Sequence, residues 1–134
     1  MTHPNDHPEP GDSPSGGLET QVAASSRTHD LTIGVDVGGT KILAAVVDRH
    51  NRILGRAKTA TPAAQGETAL LAAIVGRIEE ALREAHADID QVESIGIGCP
   101  GPLDVRSGVV LSSANLNVQH FPLGPELARV TGRP

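Results

Sequence analysis

Two spacings of apolar residues alternate along this chain, separated by turn formers. From Leu31 the sequence reads LTIGVDV, halts at Gly38 and Gly39, and resumes as KILAAVVD. Both runs are dense in β-branched residues, which suit a packed, pleated surface, and they predict two buried strands. Arg49 to Arg52, containing Asn51, is a polar turn, after which ILGRAKTA predicts a third strand ending at Thr61-Pro62. Three consecutive strands joined by tight turns predict an antiparallel meander. The spacing then lengthens. Leu70, Ile74, Ile78, Ala81, Leu82 and Ala85 form one stripe between Glu67 and about Ala87, with Glu79 and Arg83 four apart on the wet face. That is the pattern of an amphipathic helix. VESIGIG predicts a fourth strand, which a helical crossover returns parallel to the first. CPGPLDVRSG is built from turn formers, Val109 to Leu111 is a candidate short strand, and Glu126 to Val130 suggests a last helix. No internal repeat is found.

Residues 1 to 29 behave differently. Pro4, Pro8, Pro10, Pro14, Gly11, Gly16 and Gly17 stand among Ser, Thr, Asp and Glu with almost nothing apolar to bury, so this stretch is expected to be a disordered tail. His3, His7 and His29 lie on or beside it without the spacing of a metal-ligand set. The division expected is therefore a tail over 1–29 and one folded unit over 30–134, since 134 residues supply a single modest core.

Composition narrows the function. A net charge of −5, with Arg and Lys scattered singly, leaves no basic stripe for nucleic acid. The apolar run Ile42 to Val47 is bounded by Lys41 and Asp48, and no apolar run approaches the roughly 20 residues of a membrane helix. No basic start and apolar middle mark a secretory signal, and the single cysteine, Cys99, excludes an internal disulfide framework, so a cytoplasmic location is expected. Phe121 is the only aromatic ring, which removes base stacking and aromatic sugar platforms.

The densest chemistry is D-V-G-G-T-K, Asp36 to Lys41, between the first two strands. Gly38 and Gly39 let the backbone turn sharply and bring its N–H groups close to a phosphate, while Thr40 and Lys41 add a hydroxyl donor and a positive charge. Asp36, at a strand end, suits Mg²⁺ held through water, because that ion keeps much of its hydration shell. Gly34 to Lys41 also reads G-x-x-x-x-G-T-K, but a P-loop needs Lys before the hydroxyl residue and a helix straight after, where this chain has a β-branched run. The dinucleotide fingerprint fails on spacing and on the same missing helix. A bare Gly-Gly hairpin turn is the plain alternative.

IGVDVGGTKILAAVVD, then IGIGCPGPLD, then SSANLN, in that order, resemble the ROK family of sugar kinases and related repressors, with glucokinase-like members closest. The resemblance covers Leu31 to Pro134. It implies an α/β fold of ribonuclease H type, as in the actin and hexokinase ATPases: a mixed sheet with a three-strand antiparallel meander plus a parallel strand, flanked by helices. It makes Asp36 the Mg²⁺- and phosphate-facing acid and Gly38, Gly39, Thr40 and Lys41 the turn over the ATP phosphates. It places Gly101 and Pro102 beside the sugar and Asn115 as a partner of sugar hydroxyls, a role that suits an amide able to donate and accept. The plain reading of these three is turn chemistry. The implied reaction is ATP-dependent phosphorylation of a hexose, glucose at its 6-hydroxyl first, with a homo-oligomer expected at full length.

The same resemblance implies what these residues lack. The carboxylate base is expected in a motif beyond Pro134, and the zinc-binding cysteine cluster is absent from this sequence, so residues 30–134 are expected to be an incomplete lobe, inactive alone. Without a next strand, the fourth is expected to have an unpaired edge. Cys99 ends an apolar strand with no histidine tied to it and reads as a small buried residue rather than a nucleophile. Asp104 reads as a turn former, and His86 and His120 as surface residues. A sugar-responsive repressor of the same family and another actin-like ATPase are the competing functions; the Pro- and Gly-rich stretch before Leu31 is unlike a helix-turn-helix domain.

Overall fold

The computed structural model describes residues 28–134. The tail expected over 1–29 lies almost wholly outside them, as do His3 and His7. Three strands, β1 (Leu31–Val37), β2 (Lys41–Asp48) and β3 (Ile53–Ala60), form the antiparallel meander, with Asp36 opposite Leu43 and Lys41 opposite Ala60. Helix α1 (Glu67–Glu84) crosses over, and β4 (Val92–Gly98) returns parallel to β1, giving the order β3-β2-β1-β4.

The meander buries one face only. Leu31, Ile33, Val35 and Val37 of β1 alternate with exposed Thr32, Gly34 and Asp36, and Ile42, Ala44 and Val46 repeat the pattern on β2. This corrects the expectation of fully buried strands: a run of β-branched residues conceals a period of two whose outward members are small or polar. Leu70, Ile74, Ile78, Ala81 and Leu82 of α1 cover the inner face. Ala85 is half-buried, and the ion pair on the helix is Arg77 with Glu80 rather than Glu79 with Arg83.

The helix stops at a left-handed residue that is not glycine. His86 takes φ +52°, its N–H donates to the Arg83 carbonyl, and the Ala87 N–H donates to that of Leu82, the two bonds of a Schellman closure. His86 is thus an exposed residue with a backbone task.

A second sheet was not expected. The strands β5 (Leu103–Asp104), β6 (Val109–Ser113) and β7 (Val118–Phe121) pair antiparallel in that order, and α2 (Leu123–Thr131) follows. The helix begins earlier than Glu126 because Pro125, in its first turn, needs no N–H donor there. Val110, Leu116, Val118, Phe121, Leu123 and Leu127 join the core. At the outer edge of β4 the Ile95 N–H donates to the Pro134 carbonyl at 2.8 Å, so that edge carries a backbone partner at one position.

Candidate functional site

Adjacent parallel strands place the site. The chain leaves β1 through Gly38 to Thr40 and leaves β4 through Cys99 to Pro102, and Asp36 sits directly beside Gly98 in the parallel register. Both loops emerge at carboxyl ends of strands, where open α/β sheets bind their ligands. Asp36 and Lys41 are exposed on the uncovered face of the sheet, and among the described residues neither is in an ion pair.

The glycine turn is anchored on three sides. Gly38 N–H donates to the Lys41 carbonyl at 2.9 Å, closing the hairpin. Thr61, just past β3, donates its N–H to the Thr40 carbonyl at 2.9 Å and its hydroxyl to the Gly38 carbonyl at 2.6 Å. On the third side stands Asn115: a Cβ built on Gly39 would lie 2.9 Å from the Asn115 Cβ and 3.4 Å from its backbone oxygen. Only glycine permits that approach.

Asn115 occupies the turn between β6 and β7, closed by the Asn117 N–H donating to the Ala114 carbonyl at 3.2 Å. Its stem rests on Gly39 and the residue is exposed; no hydrogen bond within the described residues engages its carboxamide. Gly101, at φ +104°, packs against the Ser112 carbonyl, and the Leu111 N–H donates to the Pro102 carbonyl at 3.0 Å. The three sequence motifs are therefore linked in space: the CPGP loop lies on β6, and β6 leads into the turn that touches Gly39. Among the described residues no hydrogen bond joins Gly101 or Pro102 to the glycine turn itself.

Two recesses flank this arrangement. A polar one of about 390 Å³ is lined by Glu67, Ser112, Ser113, Asn117 and Gln119 among others, and an apolar one of about 200 Å³ by Ile97, Cys99, Leu103, Val110 and Leu123 among others. Thr61 and Glu67 carry no motif of their own; the Thr-Pro break after β3 is the one local signal, and it marks Thr61.

The other acids are engaged locally. Asp104 accepts from the N–H groups of Arg106 and Ser107. The Ser107 side chain and these backbone donors hold its carboxyl below the usual range, so it serves its own turn. Burial pushes the Cys99 thiol up, as befits a half-buried residue in an apolar wall.

Among the described residues no three His, Cys, Asp or Glu side chains gather as a metal cage. Asp36 alone, free of ion pairs and beside a turn of backbone donors, fits Mg²⁺, which binds through one or two carboxylates, water and phosphate oxygens.

The ROK family profile matches residues 32–134. A glucokinase of Streptomyces coelicolor is 36% identical over 104 residues, which cover 78% of this chain and 31% of that protein. An N-acetylmannosamine kinase of Salmonella arizonae is 33% identical, with 77% and 33% covered. Among solved structures, a ROK family glucokinase from Streptomyces griseus in complex with glucose and AMPPNP is 39% identical with a TM-score of 0.68, over 78% of this chain and 31% of that one. A ROK family transcriptional regulator, a homolog of the E. coli MLC protein, is 27% identical with a TM-score of 0.65, over 78% and 26%. The chain spans about a third of the length of the curated relatives it matches.

Proposed function

Because this chain belongs to the ROK family, whose solved members include a glucokinase bound to glucose and AMPPNP, we propose that residues 30–134 form the N-terminal lobe of an ATP-dependent sugar kinase. The observation that carries this is the anchored glycine turn beside an unpaired Asp36 at the carboxyl ends of β1 and β4. Hexose is the substrate class, and glucose at its 6-hydroxyl the first choice.

In this reading Gly38 closes the turn through its bond to Lys41, and the backbone N–H groups of Gly39 and Thr40, with the Thr40 hydroxyl and Lys41 ammonium, hold the phosphates of ATP. Asp36 holds Mg²⁺ through water. MgATP supplies the transferred phosphoryl group and the charge that offsets its oxygens. Thr61 keeps the turn in shape before the nucleotide arrives, so less ordering is needed on binding. Gly101, Pro102 and Asn115 form one wall for the sugar, where the Asn115 carboxamide donates to and accepts from hydroxyls. Asp104 and Asp48 are both engaged by their own turns, so neither is assigned as base; that carboxylate is assigned to the portion the relatives carry beyond the matched third. Residues 28–134 contain no helix long and apolar enough to cross a membrane, and the cytoplasm supplies the ATP.

The test is a chimera in which residues 31–134 replace the matching third of the Streptomyces griseus glucokinase. Glucose-dependent ADP release is expected, with Asp36→Asn lowering kcat about 100-fold or more while the melting temperature stays in place. A folded chimera without turnover, or an Asp36→Asn variant with unchanged kcat, defeats the proposal. The likeness to a regulator supports a second reading, a sugar-sensing lobe of a repressor. Sugar binding without any phosphoryl transfer in the chimera is the result that favours it.

A further inference from the structure

The geometry points to Asn115 as a positioning residue that couples the phosphate turn to the sugar wall, acting through its Cβ rather than its carboxamide. This rests on the phosphate-site reading above. The observations are spatial. The turn carrying Asn115 lies directly on Gly39, and a Cβ at position 39 would fall 2.9 Å from that of Asn115, closer than two such atoms pack. Among the described residues, Gly39 is otherwise held through its neighbours, by the bonds of Thr61 to Gly38 and Thr40 and of Gly38 to Lys41. Any shift of Gly39 toward a bound phosphate therefore changes the support under Asn115, and any shift of the β6–β7 turn changes the room at Gly39.

The β6–β7 turn is itself continuous with the loop beside the sugar. Gly101 packs on Ser112, Pro102 accepts from Leu111, and Ser112 and Ser113 run straight into Ala114 and Asn115. A path of direct contacts thus leads from the phosphate turn through Asn115 and β6 to Gly101. Packed elements of this kind shift between discrete arrangements, and a ligand that favours one of them changes affinity at the other end by the same factor in both directions.

The contact makes two substitutions at one position differ. Asn115→Ala keeps the Cβ and so keeps the link while losing the amide. Asn115→Gly loses both. A residue that acts only by hydrogen bonding to sugar would be affected alike by the two changes.

The experiment follows backbone amide resonances of the 134-residue chain during titration with MgATP and with inorganic tripolyphosphate. In the unsubstituted chain and in Asn115→Ala, amides of Gly38 to Lys41 and of Ala114 to Asn117 should move together with one apparent Kd. In Asn115→Gly the first group should still move, the second should not, and the Kd should rise about 5-fold or more. Without ligand, Gly39→Ala should displace the 112–117 amides, and Gly39→Ala combined with Asn115→Gly should restore them, as expected for residues in direct contact. Identical titrations for the Gly and Ala variants overturn the link, as does a Gly39→Ala displacement that Asn115→Gly fails to relieve. Movement at 38–41 alone in the unsubstituted chain sinks the link but leaves the phosphate site standing. No movement at 38–41 sinks the phosphate-site reading itself.

Discussion

Gly101 rests against the backbone carbonyl of Ser112, in a left-handed conformation at φ +104°. The contact joins the loop after β4 to β6, and a side chain has neither the space nor the backbone conformation to enter it. Gly101→Ala should therefore destabilise the chain by about 1–3 kcal/mol through strain and overlap together. Urea unfolding measures this, and a change within experimental error would show that the loop can move off β6 freely.

One-sided burial of the sheet gives a paired prediction. Ile74, fully buried on α1, and Leu43, 37% exposed on the open face of β2, are both large aliphatics. Ile74→Ala should cost about 2–5 kcal/mol, enough to unfold a marginal domain, and Ile74→Val about 0.5–1.5 kcal/mol. Leu43→Ala should cost about 0.5 kcal/mol or less. Denaturant midpoints of the three variants decide it, and a cost at Leu43 equal to that at Ile74 would mean the open face is covered.

The contrast between these two residues also marks what the sequence discloses. Leu70, Ile74 and Ile78 recur at an unbroken spacing of four, and the meander has tight polar turns, so α1 and the first three strands are legible. Strand β7 is not. His120 takes φ +48°, which breaks the period of two so that Val118 and Phe121 both turn inward, and V-Q-H-F lacks the alternation of a strand. The glycine turn is legible because its residues are local, six in sequence from Asp36 to Lys41. The seating of Asn115 on Gly39 and the bonds from Thr61 join segments far apart in the chain, and no periodicity records such contacts.

Cys99 is the thiol of the apolar recess, half-buried, with burial raising it above its ordinary value of 9.0. At pH 8 it carries less thiolate than a free cysteine, and the thiolate is what reacts. Alkylation by iodoacetamide should be slower than that of free cysteine in the same buffer, and Cys99→Ala should cost under about 1 kcal/mol. Faster alkylation than the free amino acid would indicate an activated thiol and revive a chemical role for Cys99.

The hairpin between β2 and β3 is predicted to respond to acid. Asp48 closes it: Oδ1 accepts from the N–H groups of His50 at 2.8 Å and Arg52 at 2.9 Å, and Oδ2 accepts from Arg52 Nε at 2.8 Å. The backbone bond from Arg52 is the chief reason the carboxyl lies below its ordinary value of 3.8; burial, the next effect in size, opposes it, and the Arg52 side chain and the His50 N–H add to the lowering. A carboxyl lowered in the folded state stabilises the fold at all pH values well above 3.8, and that contribution is lost as pH falls through the folded value. Asp48→Asn removes the charge and keeps the size. Its urea midpoint should be lower than that of the unsubstituted chain at pH 7, and the gap should narrow at pH 3. Arg52→Ala should reproduce only part of the gap, because the Arg52 side chain is 71% exposed and its ion pair is screened, while the backbone donors remain. An equal gap at both pH values would assign the stabilisation to shape and hydrogen-bond geometry alone, without the carboxylate charge.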